Sequence, residues 1–276
     1  MEESGLTSET KAALVYLTYN SRQAVQNNLP DLIRYSGGTF SICAIDNASN
    51  DDTAIALWQM GIGPLINEEN LGYTAAINQG IKWALHGSAD WILLINPDVK
   101  PISRNWLRRL IDVPPECGIV GAKLMKFYMT SHAGGRVIPK AHPVLWYSSY
   151  PFGNRVLWSR EAIGLSRTMH NGGFATQYLV PEQVPWVSFA VVAIRRQVLE
   201  TVGLLNEKFW FYSSDIEYCF RTLTSGWQIW YNPVEFEHES GGSLRSAPQA
   251  VHDRGQQDIR EWLEEESEWL QRAGLS

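Results

Sequence analysis

Three side chains carry most of the chemistry this sequence offers. Asp98 closes the run Asn96-Pro97-Asp98, directly after the apolar stretch Trp91–Ile95. A carboxylate at the end of a buried strand suits a divalent cation such as Mg2+, which takes one or two carboxylates and completes its shell with water and phosphate oxygens. The same residue also fits a proline-containing turn. Asp215 lies in Ser213-Ser214-Asp215-Ile216-Glu217, where a helical pattern begins behind the aromatic run Phe209–Tyr212. There it can serve as a general base or complement the helix dipole. Ser214 and Glu217 have capping-box spacing, which gives Glu217 a structural task and leaves Asp215 pointing elsewhere. His238 sits in Glu237-His238-Glu239-Ser240-Gly241-Gly242, within a stretch from Pro233 to Ser246 that reads as a loop. A mobile, glycine-flanked imidazole can swing onto a metal, or it can pack at the surface.

Such residues need a frame, and the first 125 positions supply one. Apolar runs of strand length at Ala12–Leu17, Phe40–Ile45, Pro64–Ile66 and Trp91–Ile95 alternate with helical patterns at Arg22–Tyr35, Asp51–Met60 and Thr74–Leu85. Continuous apolar strands alternating with helices predict an α/β fold with a parallel sheet covered on both faces. Right-handed crossovers bring the strand ends to one edge, where an open α/β sheet binds its ligand. Asn20, Asp46, Asn47, Asn67, Asn70, Asn96 and Asp98 all follow strand ends. One such residue is ordinary turn chemistry, but a succession of them predicts a polar ligand with several hydrogen-bonding groups.

Beyond this half, residues 127–184 read as a long, partly irregular excursion. Trp186–Arg195 returns to strand character, Arg196–Val202 and Ser214–Thr224 to helix, and Gln228–Tyr231 to strand. From Gln249 an acidic helix carries Ile259, Trp262, Leu263, Trp269 and Leu270 on one stripe. That stripe packs on the body or on a second copy of the chain, making a homodimer one candidate assembly.

The 276 residues carry 23 basic and 29 acidic side chains, net −6, so no overall basic field for nucleic acid exists. Three well-separated cysteines, Cys43, Cys117 and Cys219, predict no disulfide framework and fit a reducing compartment. The acidic, polar N-terminus does not read as a signal peptide, and no apolar run approaches membrane-spanning length. A soluble, cytoplasmic protein, at most peripheral to a membrane, is expected. P-loop, GxGxxG, GxSxG and HExxH patterns are missing from the expected positions.

Five segments in order carry a family likeness: Val15–Ser21, Ile45–Thr53, Asn70–Gly80, Leu94–Val99 and Phe211–Arg221, followed by Gly226-Trp227 and His238. On these the chain resembles the family 2 glycosyltransferases of the GT-A fold, and among them the rhamnosyltransferase-like branch. The resemblance implies a single domain with a nucleotide-binding half over about residues 10–126, an acceptor half over 127–246 and the acidic helix over 247–276. It implies a central, mostly parallel sheet with a small antiparallel sheet on the acceptor side. The implied activity is metal-dependent, inverting transfer of a sugar from a UDP- or dTDP-sugar to a saccharide, lipid-linked or other hydroxyl acceptor. Rhamnosyl transfer in polysaccharide or glycoconjugate synthesis is the implied setting.

The resemblance also assigns roles. Thr18, Asn20, Asp46, Asn47, Gly72, Asn78 and Asn96 would line the nucleotide pocket, with Asp46 on the base. Asp98 and His238 would hold Mg2+ or Mn2+, and Asp215 would be the catalytic base. Two positions depart from the family pattern: Ser214 stands where a Glu usually precedes the catalytic Asp, and Phe189 where a Gly is usual. They motivate an alternative, a sugar-nucleotide or glycan-binding protein that keeps the fold with impaired turnover.

Overall fold

The computed structural model describes residues 11–126, 140–142, 181–184, 186–238 and 249–272. Its first half follows the apolar runs closely. Strands β1 (Ala12–Thr18), β2 (Phe40–Asp46), β3 (Leu65–Ile66) and β4 (Trp91–Ile95) alternate with helices α1 (Arg22–Arg34), α2 (Thr53–Gln59) and α3 (Gly72–His86). Each helix buries one stripe: Val25, Leu29 and Leu32 on α1, and Thr74, Ile77, Asn78 and Ile81 on α3. The contact of α3 with the sheet is close enough to need glycine, because a Cβ on Gly80 would lie 2.2 Å from Val15 Cγ1.

A short strand β5 (Val99–Pro101), helix α4 (Trp106–Leu110) and a long strand β6 (Cys117–Lys126) follow. Then come β7 (Lys140–His142), β8 (Glu182–Gln183), β9 (Val191–Arg195), α5 (Arg196–Val202), α6 (Ser214–Thr224), β10 (Gln228–His238) and α7 (Gln249–Arg272). The described strands form one ten-stranded sheet in the order β3-β2-β1-β4-β9-β6-β10-β5, with β7 on β6 and β8 on β10. β3, β2, β1 and β4 run parallel, as do β6 and β10. β9 runs antiparallel to β4 on one side and to β6 on the other. The antiparallel strands thus extend the main sheet instead of forming a sheet of their own.

The alternating strand residues build two cores. Val15, Ile45, Leu94, Val192 and Ile194 face α3, α5, α6 and Trp262 of α7. Leu14, Tyr16, Leu93, Val191, Ala193 and Phe236 face α1, α2 and α4. The two cores leave both sheet faces covered, as the continuous apolar strands require.

Two expectations need correction. The strand beginning at Gln228 does not stop at Tyr231; it continues to His238, so His238 ends a strand and does not ride in a loop. Pro233 argues against a strand there, but the ladder to β6 shifts between Tyr231 and Glu235, so the proline falls in a bulge. The expected strand over Trp186–Arg195 begins only at Val191, after a turn at residues 189–190. The irregular excursion over 127–184 lies mostly outside the described residues, as does the glycine pair after His238.

Candidate active site

The strand correction brings two predicted residues together. β5 pairs antiparallel with the end of β10, and His238 sits opposite Val99, the residue after Asp98. His238 Nε2 lies 3.5 Å from Asp98 Oδ1, with the two side chains 13% and 16% exposed. The turn carrying Asp98 is fastened to α1, where Asn28 Nδ2 donates to the Pro97 carbonyl at 2.8 Å and Asp31 pairs with Lys100 at 3.2 Å. Tyr16 is fully buried, and its hydroxyl has no hydrogen-bond partner among the described residues. Burial raises the pKa of that phenol, and the nearby negative charge of Asp98 raises it further.

An imidazole and a carboxylate facing each other at a partly open strand end form a donor set that a borderline-hard divalent ion accepts. No third His, Cys, Asp or Glu joins them among the described residues. Two protein donors leave the remaining positions to water and phosphate oxygens, the usual arrangement for Mg2+.

Asp215 approaches the same edge from the other core. Ser213, with φ 67°, turns the chain into α6, and Asp215 lies in the first turn of that helix. Desolvation pushes its carboxyl up to about 6, against the opposing pull of backbone hydrogen bonds from Ile216, Asp215 and Phe189. Phe189 precedes Ala190, whose carbonyl accepts the Asn96 N–H at 2.9 Å. One hydrogen bond therefore separates Asp215 from the residues that border Asn96, and Asn96 stands two positions before Asp98. The predicted capping box is not formed, since no side chain caps α6 at its start. Glu217 instead takes Arg221 in a two-pronged pair at 2.5 and 3.1 Å.

The residues expected around a nucleotide fall into two groups. Thr18, Asn47 and Asn78 are buried and spend their side chains on the protein. Thr18 donates to the Ile45 carbonyl at 2.9 Å. Asn47 donates to Asn70 and the Gly72 carbonyl and accepts from Asn67 and Leu71. Asn78 exchanges hydrogen bonds with Leu205 and donates to Glu207, tying α3 to the chain before α6. Asn20, with φ 46°, staples the loop after β1 to the loop after β2 through Ser49 and Asn50. Gly72 begins α3 at φ 81°, where a Cβ would meet Trp210 at 2.5 Å. Asp46, buried, accepts the Ser49 hydroxyl, and Asn96 is half-buried at the end of β4.

Three contributors escaped the sequence reading. Asn28 lies in an ordinary helical stretch with nothing to mark it. Tyr73 donates its backbone N–H to Trp210 at 2.8 Å and its hydroxyl to the Phe189 carbonyl at 3.4 Å. Asp258, on α7, is fully buried and accepts the backbone N–H groups of Trp210, Phe211 and Tyr212 at 2.9, 2.6 and 2.9 Å. Its sequence signal was hidden, because one more acidic residue in an acidic helix attracts no notice.

The profile of Glycosyl transferase family 2 matches residues 14–203, more than half of the chain. The chain belongs to that family. Among its relatives is the N-acetylglucosaminyl-diphospho-decaprenol L-rhamnosyltransferase of Mycobacterium tuberculosis strain H37Rv, 26% identical over 255 residues, covering 85% of this chain and 78% of the relative. The O-antigen biosynthesis protein RfbC of Myxococcus xanthus is 25% identical over 233 residues, covering 81% of this chain but 17% of RfbC. The first of these relatives is named a rhamnosyltransferase, the second an O-antigen biosynthesis protein.

Solved structures give it the GT-A fold. The mannosyltransferase PcManGT from Pyrobaculum calidifontis, in complex with GDP-Man and Mn2+, superposes with a TM-score of 0.57 at 16% identity. That match covers 90% of this chain and 61% of the other, so the chain spans under two thirds of that structure. Glucosyl-3-phosphoglycerate synthase from Mycobacterium tuberculosis, with Mn2+, UDP and glucosyl-3-phosphoglycerate, gives 0.57 at 15% identity over 100% of this chain and 87% of the other.

Proposed function

We propose that this family 2 glycosyltransferase moves a sugar, with rhamnose the leading candidate, from a UDP- or dTDP-sugar to an acceptor hydroxyl, with inversion at the anomeric carbon. The supporting observation is the convergence at one sheet edge of a facing Asp98–His238 pair and a desolvated Asp215. Asp98 and His238 would hold Mg2+ or Mn2+. When bound, that ion neutralises charge developing on the leaving diphosphate. Asp215 accepts the proton of the attacking hydroxyl. A carboxyl raised to about 6 suits that task, being ionised at neutral pH yet more basic than an ordinary aspartate. Asp46 and the loop stapled by Asn20 border the base and ribose. The buried amides Asn47 and Asn78 fix the walls of this pocket through protein contacts.

The rhamnosyltransferase relative is named for a substrate on a diphospho-decaprenol carrier. By analogy the acceptor here is a lipid-linked saccharide in polysaccharide synthesis, met from the cytoplasm by a peripheral protein. The test is release of nucleoside diphosphate from a panel of UDP-glucose, UDP-galactose, UDP-N-acetylglucosamine, dTDP-glucose and dTDP-rhamnose, with Mn2+ and an N-acetylglucosaminyl-diphospho-polyprenol acceptor. Asp215→Asn should lower turnover by about 10²–10⁴-fold and leave nucleotide affinity intact. Full turnover in that variant removes Asp215 from the role. Tight binding without turnover of any donor would favour a binding protein on the same fold.

A further inference from the structure

Asp258 is a buried carboxylate that the catalytic scheme above does not use. It is 0% exposed, and its one cationic neighbour among the described residues, Arg254, stands 3.8 Å away. Its three short bonds all go to consecutive backbone N–H groups, those of Trp210, Phe211 and Tyr212. Charge-assisted bonds of this kind are the strong ones, and removing the acceptor leaves three N–H groups to find other partners. The surrounding contacts press the same segment onto α7. A Cβ on Gly255 would lie 2.6 Å from the Tyr212 ring, and Trp262 packs edge-on against Phe209 at 6.5 Å.

The segment leads to Asp215 by two routes. Along the chain, Tyr212 is followed by Ser213, whose left-handed turn starts α6, and the Ser213 carbonyl accepts the Glu217 N–H at 2.9 Å. Across the fold, the Trp210 carbonyl holds Tyr73, the Tyr73 hydroxyl holds the Phe189 carbonyl, and the backbone of Phe189 hydrogen-bonds Asp215. We infer that Asp258 of the C-terminal helix is a positioning residue, which clamps residues 210–212 and thereby fixes the location of the Asp215 carboxylate. The inference rests on Asp215 being the base. It makes α7 a working part of the active site, not a packing appendage.

The test uses the full chain with Asp258→Asn, Asp258→Glu, Asp215→Asn and the Asp215→Asn/Asp258→Asn double variant. Hydrogen exchange read by mass spectrometry on the ligand-free protein should show the amides of 210–212 exchanging about tenfold or more faster in Asp258→Asn, with β1 and β4 unchanged. With the panel donor that turns over fastest, Asp258→Asn should lower kcat about tenfold while donor KM stays within about twofold. Asp258→Glu, which keeps the carboxylate, should recover part of the loss. On the Asp215→Asn background the second substitution should cost nothing further, because its effect passes through the missing base. Unchanged exchange, an unchanged kcat, or an equal loss on both backgrounds overturns the inference. A slow Asp215→Asn beside a normal Asp258→Asn sinks this inference alone, whereas a fully active Asp215→Asn sinks the base assignment beneath it. Should Asp258→Asn fail to fold, Asp258→Glu carries the same comparisons, its longer side chain misplacing the clamp without deleting it.

Discussion

At the residue scale, Asp215, as the proposed base, makes opposite demands on stability and on catalysis. Its folded pKa of about 6 lies above the ordinary 3.8, so the folded chain holds this proton more tightly than the unfolded one. The stability from this group is complete below pH 3.8 and is lost as pH rises through about 6. Turnover runs the other way, since the base must be ionised. The rate should therefore climb with pH on a limb centred near 6, and replacing Asp215 should remove that limb. Asp215→Asn should also raise the stability at pH 7.5 by about 1–2 kcal/mol, measured by urea denaturation, because a neutral amide suffers less from desolvation. A variant that is both slower and less stable would contradict this account. Asp98, Asp215 and His238 stood out as candidates from residue type and from their places in the motifs. Asn28 and Tyr73 did not, because their bonds reach residues distant in sequence and leave no local pattern.

At the element scale, legibility tracked periodicity. β1, β2 and β4 are continuous apolar runs bounded by polar turns, and their limits in the structure differ from the sequence reading by a residue at most. β10 was cut short because Pro233 and the acidic residues beyond it resemble a loop, and only the ladder to β6 shows otherwise. The capping box misled for a different reason. Its spacing is present, but Ser213 takes a left-handed conformation and Glu217 finds a better partner in Arg221. The close seat of α3 on β1 makes a sharper prediction. Gly80→Ala forces a methyl into Val15 and should destabilise the chain by about 1–3 kcal/mol, read as a fall in Tm, although alanine favours helix elsewhere. Gly72→Ala should be at least as costly, since it meets both a positive φ and the Trp210 ring.

At the scale of the whole molecule, the proposed site draws its residues from elements on both cores. α1 and β10 hold the Asp98 side, while α3, α6 and α7 hold the Asp215 side. Occupying the proposed nucleotide site should therefore stabilise the molecule as a unit. A nucleoside diphosphate with Mn2+ at 100 times its dissociation constant should add about 2.7 kcal/mol, visible as a rise in Tm. EDTA, or Asp98→Ala, should abolish most of that rise, and a shift indifferent to both would argue against the Asp98–His238 pair as an ion site. Among the described residues no helix is long and apolar enough to cross a membrane.

The bulge in β10 sets a counting rule for this enzyme. Between Tyr231 and Glu235 the strand advances four positions while its neighbour, from Gly121 to Lys123, advances two. The surplus is even, so Ile229 and Tyr231 stay on one face and Val234 and Phe236 on the other. Deleting one residue there would invert everything downstream and move His238 to the place Glu237 now takes, on the opposite face, whereas deleting two would keep the imidazole on its side. Insertions and deletions tolerated at this spot, in the laboratory or over descent, should come in pairs.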